Sequence, residues 1–223
     1  MAQKAANTLE SAPVTSDASA EALSLVAKAK LMAGKWGEAI DAYKKAVAAK
    51  PGEPNILLEY AYALRRARTS SPSEIHTVLD MAVNTVRKST DRDLKRRVYE
   101  SASFQALYMR PPRSFERAIQ LGEEYTHDPS STPSAQVWVN LACAYGQEFR
   151  RGEDDRPRPG RGLEMLAKLA LEAAKEAIRI DPSRKDVLRS LMCPSPAQKE
   201  AREDDLAVFA DDEDFKTLLG SCP

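Results

Sequence analysis

From Ala20 onward the apolar residues recur every three or four positions, and nowhere do Val, Ile and Thr alternate with polar residues over a strand's length. The pattern predicts helices and few strands or none. Abundant Ala and only 9 Gly in 223 residues point the same way. The apolar positions fall into successive helix-sized groups. Leu57, Tyr60, Ala61 and Leu64 are followed by Ile75, Leu79 and Ala82. A long helix from about Asp93 to Met109 precedes one bearing Phe115, Ala118, Ile119 and Tyr125. Trp138, Leu141, Ala142 and Tyr145 are followed by Ala170, Ala174 and Ala177, and a short helix spans Lys185–Met192. Pro, Gly and charged runs mark the breaks: Ala67–Glu74, Arg110-Pro111-Pro112, and a long flexible loop from Arg150 to Gly162. In the first break, Ser73 and Glu74 behind Pro72 read as a helix start. Residues 1–19 hold few large apolar groups, too few to offset the entropy of ordering, and predict a disordered arm.

A repeat underlies these groups. From Ala20 the chain places Leu23, Val26, Ala27, Gly34, Trp36, Ala39, Tyr43, Ala46 and Pro51 in a fixed order of large, small, glycine, aromatic and proline positions. This segment resembles one tetratricopeptide repeat along its whole length. Only Lys30 departs, where the family usually has an aromatic residue. Ala61 recurs one repeat period after Ala27. The physical sense is plain: Ala27 and Ala39 let two antiparallel helices approach, Leu23, Val26 and Tyr43 fill the space beside them, Ala46 admits the next pair, and Pro51 ends the ladder.

The resemblance implies an all-α fold, a right-handed solenoid of about four helix-turn-helix repeats with a C-terminal capping segment. The implied repeats cover about 20–53, 54–90, 91–133 and 134–183. The short helix 185–192 completes a repeat domain of 20–192, and 193–223 form the acidic cap. Repeat three is degenerate; either Ala106 or Ala102 makes the close contact in its first helix. Repeat four carries the long insertion. Leu206 and Phe209 before the acidic run Asp211–Asp214, and Phe215, Leu218 and Leu219 after it, read as a cap docking near Leu188 and Leu191. In that reading the acids stay in water and face Arg184 or Arg189.

The family implies a non-catalytic adaptor that holds a partner's peptide or helix in a concave groove lined by the first helix of each pair. By repeat position the groove residues are Ser24, Lys28 and Met32, then Leu58, Glu59, Tyr62 and Arg66, then Val139, Asn140, Cys143 and Gln147. Ser103, Phe104 and Leu107 join them in the Ala106 register. Repeats that clamp the acidic C-termini of heat-shock chaperones carry Lys and Asn where this chain has Ser24, Lys28 and Glu59, so that specificity is not carried over. The alternative reading is a regulatory or assembly module of a larger enzyme complex, binding through the convex face or the acidic tail.

Composition narrows the partners. Lys and Arg total 33, as do Asp and Glu, and this zero net charge argues against a dedicated nucleic-acid binder. The stretch 87–117 holds nine Lys and Arg against four acids and is expected to be a solvated helix face. No apolar run is long enough to span a membrane or serve as a signal peptide, so the expected partner is another protein and the expected location is the cytoplasm. The sequence leaves the oligomeric state open. No phosphate loop, nucleophile elbow or zinc motif occurs, and His76 and His127 lack ligands at metal spacing. No enzyme activity, metal or cofactor is expected. Cys143, Cys193 and Cys222 are an odd number without a paired motif and read as free thiols in a reducing compartment.

Overall fold

The structure, a computed structural model, describes residues 19–67, 71–109, 114–155, 161–201 and 203–223, without the side chains of 114 and 153–155. The expected N-terminal arm, apart from Ser19, lies outside the described residues, as does the turn at Arg110-Pro111-Pro112. The fold is all-α, with helices packed in sequence as antiparallel pairs. The helices are α1 (Ala20–Met32), α2 (Trp36–Ala49), α3 (Pro54–Ala67), α4 (Pro72–Val86), α5 (Arg92–Leu107), α6 (Ser114–His127), α7 (Ala135–Asp155), α8 (Leu163–Ile180), α9 (Arg184–Met192), α10 (Pro196–Ala201) and α11 (Glu213–Leu219). One 3-10 turn, Ala207–Phe209, lies between α10 and α11. The chain divides into two compact units, Met1–Val98 and Tyr99–Pro223, and the division falls within α5.

In the first unit α1 packs on α2, α2 on α3 and α3 on α4. The alanines make this possible: Ala27, Ala39, Ala46 and Ala61 are completely buried, so the helix backbones meet without side chains between them. Tyr43, Leu57 and Leu79 fill the flanks of those contacts. Ser19 starts α1 by accepting a hydrogen bond from the Ala22 amide. Gly34 ends it with a positive φ of 75°. Its N–H bonds the Leu31 carbonyl, and the Lys35 N–H bonds that of Lys30, a pairing that a left-handed residue allows and glycine adopts without strain. The start of α4 differs from the expected one. Ser71, not Ser73, is the cap, because Pro72 fits the first helical position and leaves the Ser71 hydroxyl to accept from the Glu74 amide at 3.2 Å.

In the second unit α6 packs on α7 and α7 on α8, while α9 and α11 close over α8. Gly122 lets α6 touch α7: a Cβ there would stand 2.5 Å from Leu141 Cγ. Tyr99 on α5 meets the Tyr125 ring of α6 at 5.2 Å. Ala102 and Ala106, the rival contact residues of repeat three, lie one turn apart and are both fully buried. Helix α7 runs on through Asp155, so the first half of the expected loop is helical. Tertiary contacts explain this extension. The Phe149 ring packs edge-on against Phe209 at 4.8 Å, and Arg151 lies over the Phe115 ring. Residues 156–160 of the same loop lie outside the described residues.

The C-terminal segment turns back onto this unit. Leu206, Phe209, Phe215 and Leu219 are buried, as are Leu188 and Leu191 of α9, against which α11 packs. Phe209 and Phe215 stack with centroids 4.6 Å apart and planes 5° from parallel. Asp212 caps α11, accepting from the amides of Asp214 and Phe215. The tail acids do not meet the expected cations. Arg184 pairs with Asp181 at 3.0 Å, Arg189 donates to the Ser221 carbonyl, and Glu213 pairs with Lys216. The free-thiol expectation is also corrected: Cys193 and Cys222 form a disulfide with Cα atoms 5.4 Å apart, and only Cys143 is free. The two partners are 29 residues apart and become neighbours only because the tail returns to α9. The cytoplasmic expectation thereby loses the support it took from free thiols.

Candidate functional site

Each unit presents a face built from the first helices of its pairs. In the first unit this face comes from α1 and α3. At its centre the Glu59 carboxylate accepts from Ser24 Oγ at 3.0 Å, from Lys28 Nζ, and from the Tyr43 hydroxyl at 3.3 Å. Three helices thus converge on one acid, and two of the expected groove residues, Ser24 and Lys28, are engaged by a third. Around this knot the face is open. Met32 is 73% exposed, Tyr62 is 39% exposed, and Leu25, which repeat position did not mark, is 59% exposed. Arg65 lies over the Tyr62 ring and Arg66 over the Trp36 ring, at 5.5 and 5.7 Å from the centroids. Leu58 is buried and serves the core.

The equivalent face of the second unit, on α5 and α7, is differently furnished. Val139 is buried, and Asn140 is only 2% exposed. The Asn140 amide donates to the Glu100 carbonyl at 3.2 Å and to Ser103 Oγ at 2.9 Å, while its oxygen accepts from Gln136. These two residues fasten α7 to α5, and Leu107 is likewise buried. Phe104 keeps an exposed edge and packs against Tyr108 at 4.9 Å.

Across the rest of this face runs the chain's own segment Asp204–Leu206. The Asp205 carboxylate accepts from Gln147 Nε2 at 2.8 Å on one oxygen and from the Tyr108 hydroxyl at 3.0 Å on the other. Arg150 pairs with the Asp204 carboxylate at 3.3 Å and also donates to its main-chain carbonyl. Leu206 is completely buried. Gly146 has a reason to be glycine here, because a Cβ would stand 2.2 Å from the Asp205 carbonyl oxygen. Of the expected site residues, Gln147 and Cys143 therefore meet at one place, joined by Tyr108, Gly146 and Arg150. Those three were missed by repeat position, since they flank the marked positions by one to three residues.

Burial sets the electrostatics. It pushes the Asp205 carboxyl above the ordinary carboxylate range, a rise only partly opposed by the Gln147 and Tyr108 hydrogen bonds. It pushes the Cys143 thiol well above its usual range, and the neighbouring Asp205 adds to that. The Tyr108 hydroxyl is raised by burial and then by Cys143 and Asp205. A thiol so placed stays protonated and is not an activated nucleophile. Among the described residues no group of three or more His, Cys, Asp and Glu stands where it could hold a metal ion, and no helix is long and apolar enough to cross a membrane.

No protein-family model and no curated protein matches this chain. Among solved structures, the chain resembles a monomeric mutant of IFIT1 with Gppp-AAAA, at 15% sequence identity and a TM-score of 0.49. The match covers 100% of this chain and 47% of that one, so the chain spans about half the length of that structure.

Proposed function

We propose that this protein is a tetratricopeptide-type adaptor without catalytic activity, which holds a peptide or helix of a protein partner on the first-helix faces of its helix pairs. One observation carries the reading. In the second unit the face marked by repeat position, at Cys143 and Gln147, is occupied by the chain's own segment Asp204–Leu206, a turn closed by the Ala207 amide donating to the Asp204 carbonyl. A face of this construction accommodates a short peptide segment with its side chains inserted, which is the mode of binding proposed. In the first unit the equivalent positions are Lys28, Met32, Tyr62 and Arg66. There the exposed Met32 and Tyr62 give apolar contact, and the Lys and Arg heads favour an acidic flank.

The test is selection of a displayed peptide library on the full chain, followed by affinity measurement on Tyr62→Ala and Met32→Ala. The expected result is enrichment of related peptides whose affinity falls at least about tenfold on Tyr62→Ala, as for an aromatic anchor at an interface. Failure to enrich any family of peptides, or binding unchanged by both substitutions and by Gln147→Ala, would overturn the adaptor reading.

A further inference from the structure

The second unit's face is built more specifically than a cap requires. An apolar tail could cover α5 and α7 with leucines alone, and burying a carboxylate costs free energy unless it is hydrogen-bonded. Here Asp205 is 2% exposed, and each of its oxygens has a neutral donor from a different place, Tyr108 just beyond α5 and Gln147 on α7. The residue before it is read by Arg150 through both side chain and main chain. The residue after it, Leu206, is completely buried, and Gly146 admits the Asp205 main chain and the Leu206 side chain. Side-chain donors, a close backbone approach and a buried leucine beside them together make a sequence-selective peptide site.

We propose, building on the adaptor reading above, that the α5–α7 face is a site for a peptide turn in which two acidic residues precede a leucine, the conformation that Asp204–Ala207 adopts here. The chain's own Asp204–Leu206 fills the site in cis, and the Cys193–Cys222 disulfide retains that occupant. The disulfide closes a loop that contains the occupant, so the segment is anchored at both ends and its local concentration at the face is high. A partner peptide of the same chemistry binds only the fraction of molecules whose face is open. The free Cys143 lies under Asp205 as part of the floor and takes no part in the linkage.

The probe is a fluorescein-labelled peptide corresponding to residues 203–210, titrated by anisotropy into the full chain. It is compared on three forms: the native chain, the Cys193→Ser/Cys222→Ser chain, and the Asp205→Ala/Leu206→Ala chain. Hydrogen exchange of residues 203–209 reports whether the cis segment has left the face. The expected result is faster exchange in both altered chains and an apparent affinity at least about tenfold tighter than for the native chain. The same peptide with Asn in place of Asp205 should bind at least about tenfold more weakly, as should the intact peptide to either chain carrying Gln147→Ala. If exchange shows the segment released while the peptide fails to bind, or binds equally with Asn, the proposal is overturned. If neither change releases the segment, the segment is a fixed part of the unit and the proposal is overturned as well. Should the Asp205→Ala/Leu206→Ala chain fail to fold by circular dichroism, the disulfide-free chain carries the same comparison alone. Library peptides that depend on Tyr62 serve as the control: their binding persists if only this proposal fails, and is absent if the adaptor reading fails.

Discussion

The first-helix face of the first unit and that of the second are made by the same rules and end in opposite states. On α1 and α3, Met32, Tyr62 and Leu25 stand in solvent, and the one half-buried acid, Glu59, is satisfied by its own neighbours. On α5 and α7 the corresponding surface lies beneath Asp204–Leu206, and its polar groups are spent on that segment and on Asn140. The helix pairs alone do not account for the difference. It comes from a tail that returns to one unit and brings its own apolar residues and a disulfide. A repeat position therefore tells where a face lies, and the neighbouring chain tells whether that face is available.

The comparison can be broken most forcefully at Phe209. Its ring stacks on Phe215 and meets Phe149, so Phe209→Ala should cost about 3–5 kcal/mol and expose the α7 face. Met32→Ala, the truncation of a large apolar side chain on the open face, should stay within about 0.5 kcal/mol. Urea denaturation of the two variants checks this. Equal losses would mean that the tail contributes no more to stability than an exposed side chain.

A smaller effect is expected where the first unit's helices touch. Ala27→Leu or Ala61→Leu should overpack a contact with no free volume and cost about 1–3 kcal/mol. Thermal melts followed by circular dichroism measure it. An unchanged midpoint for both would refute the repeat register on which the comparison of faces depends.

The smallest effect sharpens the electrostatic side. Asp205 has a folded-state pKa above its unfolded value because it is buried. For an acid shifted in that direction the folded state binds more protons than the unfolded one. Its stabilising share is present below the ordinary carboxylate range and is lost as pH rises through the raised value. Asp205→Asn removes this dependence. The stability of the Asn variant relative to the native chain should therefore improve between about pH 4 and about pH 7. Urea midpoints of both chains at the two pH values test the sign. A relative loss for Asn at the higher pH would show that folding lowers the Asp205 value instead of raising it.

Much of the helical framework was legible because helix periodicity and small-residue spacing are local properties. Ala27, Ala39, Ala46 and Ala61 read as contact residues from the repeat resemblance and are completely buried. Of the apolar residues read as a docking set from hydrophobicity, Leu206, Phe209, Phe215 and Leu219 are buried, whereas Leu218 is only partly covered. The site was less legible. Lys28, Met32, Tyr62, Arg66 and Gln147 were marked by position, but position could not show that Lys28 pairs with Glu59 or that Gln147 donates to Asp205. Val139 and Asn140 were marked by the same rule and turned inward, because Asn140 finds Ser103 and a main-chain carbonyl on α5.

The sequence by itself determined the helical class, the close-contact alanines and the turn at Gly34. These follow from side-chain volume and backbone freedom within a few residues. Tertiary structure alone decided what the second face holds, how far α7 extends and which cysteines pair. Tyr108, Gln147 and Asp205 are separated by tens of residues, and Cys193 and Cys222 by 29, so no local pattern records their meeting. A carboxylate's partners and a thiol's neighbour are set by where the chain returns. That return is driven by burial of Leu206, Phe209 and Phe215 against helices the tail reaches only after folding.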